Sequence, residues 1–273
     1  MTAVAAQDRS VNHGRPIRDA MTVTRRNLIR FIRQPQVIVF AIIQPVMFVL
    51  LFTYVFGGAI DLPGVDSYID FLLPGIIVQT TAFGASGAAI AMADDMQKGI
   101  VDRFRALPMA RSAVIAGRTL ADAARTILTV IIMVIVGFLV GFRFHGGILG
   151  FLGAIGVAVI FGWVMSWIAV WIGLSVKTPE AAQGAGFVWL FPLTFASSAF
   201  VDPRVMPDWL RSFAEINPIT YVSDSVRALA LGPDLSAQFG LDLGSALLGA
   251  ALWMAGIVIV FGYLSVRVYR RAA

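Results

Sequence analysis

The chain has 273 residues, of which 58% are hydrophobic and 14% charged, with a mean hydropathy of +0.82 and a formal charge of +5. A soluble domain carries about a quarter charged residues, so this surplus of apolar surface exceeds what one soluble core can hide, and the bilayer is the expected solvent. The absence of cysteine excludes disulfides, thiolate chemistry and cysteine-based metal sites, and the two histidines, His13 and His145, lie too far apart in sequence to suggest a metal centre.

Residues 1–35 hold seven arginines and no apolar core, so they do not read as a cleavable signal peptide. Within them, IRDAMTVTRRNLIRFIR (17–33) sets Ile17, Ala20, Met21, Thr24, Leu28, Phe31 and Ile32 at helical spacing on one face. Arg18, Arg25, Arg26, Arg30 and Arg33 fall mostly on the other. This predicts an amphipathic helix lying in the membrane interface, either as an anchor or as a contact for a cytoplasmic partner. Pro35 then turns the chain into the first span.

Six apolar runs follow, at 36–57, 71–93, 126–142, 148–176, 181–201 and 243–266, and a helix crosses the hydrocarbon with about 20 such residues. The third run is short and is expected to begin earlier, near Leu120, with Asp122 and Arg125 at headgroup depth. With the N-terminus inside, 17 of the 21 basic residues fall on the cytoplasmic side and only Arg143, Arg204, Arg211 and Arg227 fall outside. That bias predicts that both termini are cytoplasmic. In a membrane protein the positive charge reflects this distribution, and no nucleic-acid partner is expected.

Residues 94–118, between the second and third runs, form a charged cytoplasmic insert. Ile100, Val101, Phe104 and Leu107 make an apolar stripe, with Asp102, Arg103 and Arg105 on other faces. Pro108 ends that helix, and Ser112 to Gly117 leads into the third span. A short amphipathic helix held between two spans suits a groove on a partner or, alternatively, the lipid surface. Between the last two runs, 202–242 is helical but too charged to span. Pro207 starts a turn with Trp209, Leu210 and Phe213, Asn217-Pro218 breaks it, and Ile219, Val222, Val226 and Leu229 resume on one face. These short helices are expected to lie on the outer surface or dip partly in, and Asp224 and Arg227, three apart, are placed to pair.

No span carries a charge deep in its centre, which argues against a carrier coupled to protons through buried carboxylates. The polar residues within the runs are Gln44, Gln79, Thr80, Thr81, Thr194, Ser197 and Ser198. They are candidates for a substrate pathway or, alternatively, for bonds to neighbouring helices and to their own backbone. Pro45 and Pro192 are expected to kink their helices. Trp163, Trp167 and Trp171 recur every four residues as one aromatic stripe, suited to packing, lipid contact or ligand stacking. Phosphate-loop, zinc-protease and serine-hydrolase signatures are absent, so the chain is not expected to be an enzyme or to bind ATP in the P-loop manner.

The stretch DDMQKGIVDRFRALPMARSAVIAGRTLAD resembles the cytoplasmic loop of type-2 ABC exporter permeases, most closely the daunorubicin-resistance group of bacterial drug and lipid exporters. Phe71 to Gly75 (FLLPG), the Pro-x-Trp-Leu helix, the Asn-Pro turn and Arg-Ala-Leu before a glycine extend the resemblance along the chain. It implies a single all-α transmembrane domain over 1–273. That domain has six spans, a cytoplasmic arm (1–35), a coupling helix within 94–118 and outer helices within 202–242. By the resemblance, Gly99, Asp102, Arg103, Phe104, Arg105, Leu107, Pro108 and Met109 couple to an ATP-binding subunit, and spans one, two and five line the pathway in a dimer. Two ATP-binding subunits carrying ATP and Mg, and a second permease, identical or a close paralogue, are the implied partners, with no cofactor on this chain. The implied cargo is hydrophobic or amphiphilic. A polysaccharide or glycolipid exporter, or a membrane sensor without transport, is the alternative.

Overall fold

The computed structural model describes residues 16–56, 68–100 and 111–271, and these form an all-helical protein without strands. In chain order the helices are α1 (Pro16–Ile32), α2 (Pro35–Leu51), α3 (Tyr68–Gln97), α4 (Arg111–Val140), α5 (Gly147–Ser175), α6 (Pro179–Phe195), α7 (Asp208–Ile216), α8 (Pro218–Gln238) and α9 (Leu243–Arg271). A π-helical turn, Phe52–Phe56, follows α2, and a 3₁₀ turn, Pro203–Val205, precedes α7. Among the described residues, four segments are long and apolar enough to cross a membrane: Tyr68–Gln97, Ala116–Val140, Gly147–Ser175 and Leu243–Tyr269. The apolar runs at 36–57 and 181–201 form shorter helices, because the first passes into the π turn and the second unwinds after Phe195.

Helix α3 is central, packing on α5, α6 and α8, while α5 also meets α4, α8 and α9. The most apolar window of α3 is 67% buried within the protein and that of α9 only 11%, so α9 lies at the rim with an apolar outer face. Hydrocarbon tails are as apolar as leucine, so packing here depends on close approach rather than on burying surface from water. Gly75 of α3 meets the backbone of Ala199, where a Cβ would fall 1.9 Å from the carbonyl oxygen. Gly146 and Gly150 likewise admit the Leu229 carbonyl between the start of α5 and α8. The tryptophan stripe serves packing: Trp163 and Trp167 meet edge to face, Trp171 meets Phe261 of α9, and the Ser265 hydroxyl donates to the Trp167 carbonyl.

A ladder of rings joins α2 to α6. Phe48 stacks on Phe52, Phe52 on Phe200, Phe200 on Phe195 and Phe195 on Phe191, with centroids 5.0 to 5.9 Å apart. Helix α1 does not rest on lipid alone. Ala20 and Val23 are buried, and the Thr24 hydroxyl donates to the Gly117 carbonyl of α4 at 2.9 Å, while Ile17, Met21 and Ile32 remain exposed. Helix α8, expected to lie on the outer surface or dip partly in, is largely buried among α3, α5 and α9, because its small and apolar residues pack inward. The exposed amphipathic helix of this region is α7, with Trp209, Phe213 and Ile216 outward.

Gly75→Ala forces the Ala199 backbone to move and is expected to destabilise the protein by about 1–3 kcal/mol, toward the upper end because the obstacle is main chain. Gly84→Ala, where a Cβ meets no heavy atom within 4 Å, is the control and should be neutral or stabilising by up to about 1 kcal/mol. Thermal unfolding in detergent compares the two.

Candidate functional site

Two polar clusters sit at opposite ends of α3. Phe71 and Asp94 are separated by roughly 35 Å along the helix at 1.5 Å per residue. At the Phe71 end, Arg227 of α8 is the largest fully buried side chain among the described residues, with 0% exposure. A buried guanidinium is tolerable only when its donors are used. Its Nε donates to the Phe71 carbonyl at 3.0 Å, one Nη to the Asp224 carboxylate at 2.7 Å and the other to the Ser198 carbonyl at 2.9 Å. The Phe71 ring lies 3.8 Å from the guanidinium carbon, adding a cation–π contact. Asp224 also accepts from the Ser198 hydroxyl at 2.8 Å; burial pushes its carboxyl above the ordinary range, opposed by Arg227.

Asn217 supports this cluster from below. Its amide donates to the Leu193 and Ala196 carbonyls at the end of α6, and its oxygen accepts from the Ile219 N–H, capping α8. Tyr68 donates to the Phe200 carbonyl at 3.2 Å. Beside the cluster lies a cavity of about 260 Å³, lined by Asp202, Arg204, Glu215, Tyr221 and Asp242 among others. Burial pushes the Asp202 carboxyl up, but the bonds and charge of Arg204 outweigh it and hold the group below its ordinary value.

At the Asp94 end, three helices meet through charge. Arg30 of α1 reaches Asp94 at 2.8 Å and Asp95 at 3.2 Å, Arg118 of α4 reaches Asp95 at 2.7 Å, and Lys98 reaches Asp94 at 2.8 Å. The hydrogen bond to Asp94 raises the Arg30 pKa above its ordinary value. Arg125 of α4 donates to the Gly84 carbonyl and lies 3.4 Å from Asp122. Gly99 follows at the end of α3 with φ +63°, a left-handed turn that glycine adopts without a Cβ clash. The remaining expected coupling residues, Asp102, Arg103, Phe104, Arg105, Leu107, Pro108 and Met109, lie outside the described residues.

The polar residues of the apolar runs are scattered. Gln44 is exposed on α2, Gln79 and Thr81 are buried in α3, and Thr80 is half-buried. The Thr81 hydroxyl donates to its own helix at Val78. Thr194, Ser197 and Ser198 are buried where α6 meets α8, and both serines are used there in hydrogen bonds. The sequence pattern anticipated the Asp224–Arg227 pair but not the two carbonyls that complete it, nor the Arg30 bridge to the acidic pair.

A family model described as ABC-2 type transporter matches residues 18–231. The chain is 36% identical over 245 residues to the daunorubicin resistance ABC transporter permease protein DrrB1 of Streptomyces coeruleorubidus, covering 90% of this chain and 83% of that one. It is 28% identical over 251 residues to a Mycobacterium tuberculosis protein named "Probable doxorubicin resistance ABC transporter permease protein DrrC", covering 92% of this chain and 87% of the relative. The doxorubicin resistance permease DrrB of the same organism is 26% identical over 175 residues, 64% of this chain and 60% of its own length.

Arg227→Met removes the charge that Asp224 and two buried carbonyls depend on, and is expected to cost about 3–5 kcal/mol of stability. Adding Asp224→Asn should recover part of that loss, because the stranded carboxylate is then gone. Thermal unfolding of the single and double variants measures both effects.

Proposed function

The chain belongs to the ABC-2 type transporter family, and from that premise we propose that it is the membrane-spanning permease subunit of an exporter driven by a separate ATP-binding subunit. The observation that carries the reading is the likeness to the daunorubicin resistance permease along nine-tenths of the chain. On this reading the cargo is a hydrophobic or amphiphilic compound of the anthracycline kind, taken from the cytoplasm or the inner leaflet and released outside.

Six spans are assigned to α2 with its π turn, α3, α4, α5, α6 and α9, with α7 and α8 on the outer side. The distribution of basic residues supports cytoplasmic termini, which puts the Arg30–Asp94 cluster inside and the Arg227 cluster outside. Two permease chains, identical or closely related, enclose the pathway, and Gln44, Gln79, Thr80, Thr81, Thr194, Ser197 and Ser198 are its candidate polar lining. Gln44, the exposed one on α2, is the first of these to test. ATP and Mg act on the two partner subunits. Those subunits grip the loop carrying Gly99, Asp102, Arg103, Phe104, Arg105, Leu107, Pro108 and Met109. Nucleotide-driven closure of the partners moves these loops and, through α3 and α4, repacks the spans.

Reconstitution with the ATP-binding subunit tests this. Daunorubicin is expected to stimulate ATP hydrolysis and to be moved across the bilayer. Phe104→Asp with Leu107→Asp should weaken subunit binding by roughly tenfold or more, because charge enters an apolar contact. Normal assembly and coupling in that double variant would refute the assigned role of the loop.

A further inference from the structure

Helix α7 is held to the rest of the protein by little. Of its nine residues Ala214 alone is buried and Leu210 is half-buried, and it packs on the 3₁₀ turn before it and on α8. Trp209, Phe213 and Ile216, spaced i, i+4 and i+7, are 75%, 42% and 62% exposed. Asp208, Arg211, Ser212 and Glu215 are exposed in another sector, where Arg211 pairs with Glu215 at 2.8 Å. Around the helix, Leu210 and Ala214 adjoin the exposed apolar residues. One apolar arc therefore starts against the bundle and continues beyond it. Val201 and Val205, also exposed, carry apolar surface from the end of α6 toward α7.

Water, protein or lipid can cover that arc, and depth removes water. The residue after α7 is Asn217, whose amide donates to the Leu193 and Ala196 carbonyls at the end of α6, at 2.7 and 2.8 Å. The next residues, Pro218, Ile219 and Thr220, are buried, and α8 lies among α3, α5 and α9, three helices of membrane-spanning length. The end of α7 is thus pinned level with the last turn of an apolar helix. The sorting of its side chains then favours lipid over protein. A groove on a partner asks only for an apolar face. Here the charged residues gather in their own sector and all stay exposed, while the bundle takes a third side. That is the segregation of a helix lying in a bilayer boundary, with its apolar sector toward the acyl chains and its charges toward water. Trp209 belongs to a residue type enriched at that boundary.

We propose that α7 is seated in the bilayer boundary at the Phe71 end of α3, with Trp209, Phe213 and Ile216 among the acyl chains of adjoining phospholipids and Asp208, Arg211 and Glu215 at their headgroups. On the orientation proposed above, this is the outer leaflet. The inference rests on the assignment of α6 as a span and needs neither transport nor an ATP-binding subunit. Lipid then helps to set the height of Asn217 and, through α8, that of Arg227.

Site-directed spin labelling tests it, because the chain has no cysteine to give a background. The full chain in phosphatidylcholine vesicles carries a nitroxide on Trp209→Cys, Phe213→Cys, Arg211→Cys or Glu215→Cys in turn. Val188→Cys on α6, at a position 76% exposed, is the reference for the span. All five positions are exposed, so the labels do not intrude on the core. Oxygen concentrates in hydrocarbon, and a neutral nickel chelate, present on both sides, stays in water. The Trp209→Cys and Phe213→Cys labels should relax with oxygen and lose relaxation by nickel. The Arg211→Cys and Glu215→Cys labels should show the reverse, and Val188→Cys should be closed to nickel. Nickel access at Trp209→Cys and Phe213→Cys, with Val188→Cys closed, would overturn the proposal and leave the span standing. Shielding of both from oxygen and nickel alike would overturn it by giving the face to a second copy or another protein. Nickel access at Val188→Cys would remove the span assignment of α6, and the proposal with it.

Discussion

A guanidinium with no exposed surface must find every partner inside the protein, and this requirement organises one end of the molecule. Arg227 draws carbonyls from α3 and from the turn after α6 toward α8, so three segments distant in sequence are bound to one planar group. Asp224 neutralises it from the same helix. The arrangement explains why Gly75 must be small, since the same turn that offers the Ser198 carbonyl brings Ala199 against α3. Breaking one partner leaves the others stranded in a low-dielectric environment, so the cluster behaves as a unit.

The opposite end obeys a looser rule. Arg30, Lys98 and Arg118 share two adjacent carboxylates, and several of these groups keep contact with solvent. Exposed ion pairs are individually weak, so the hold on α1 comes as much from buried Ala20 and Val23 and from Thr24 as from charge. One end of the bundle is therefore knotted and the other is adjustable. In the ABC-2 permease reading, the adjustable end is where force from a partner enters.

Much of this was legible in the sequence because the bilayer imposes a length. Runs of apolar residues announced their helices, Asn217-Pro218 announced the start of α8, and the i,i+3 spacing of Asp224 and Arg227 announced their pairing. What pattern could not supply was tertiary. The Phe71 carbonyl lies 156 residues from Arg227, and every residue offers a carbonyl, so no residue type marks the one that is used. The same holds for Arg30 and Asp94, 64 residues apart, where the four arginines of α1 were equally plausible partners. The charges of 218–238 left open whether α8 lies on the outer surface or dips in; its burial shows that the most prominent of them, Arg227, is an internal fastener. The tryptophan stripe shows the converse: the periodicity was plain, and only the position of α9 revealed what it packs against.

Helix α3, with Pro74 within it, runs as one helix from the carbonyl that Arg227 holds to the carboxylates that Arg30 and Arg118 hold. A continuous helix is stiff along its axis, so its two ends are not independent mechanical parts. Under the orientation proposed above, a displacement imposed on Asp94 and Asp95 at one membrane face would be felt at Phe71 on the other, where the Arg227 clamp would oppose it. The helix thus acts as a pushrod set against a catch, and a bilayer-wide signal needs no chain of intermediates to cross.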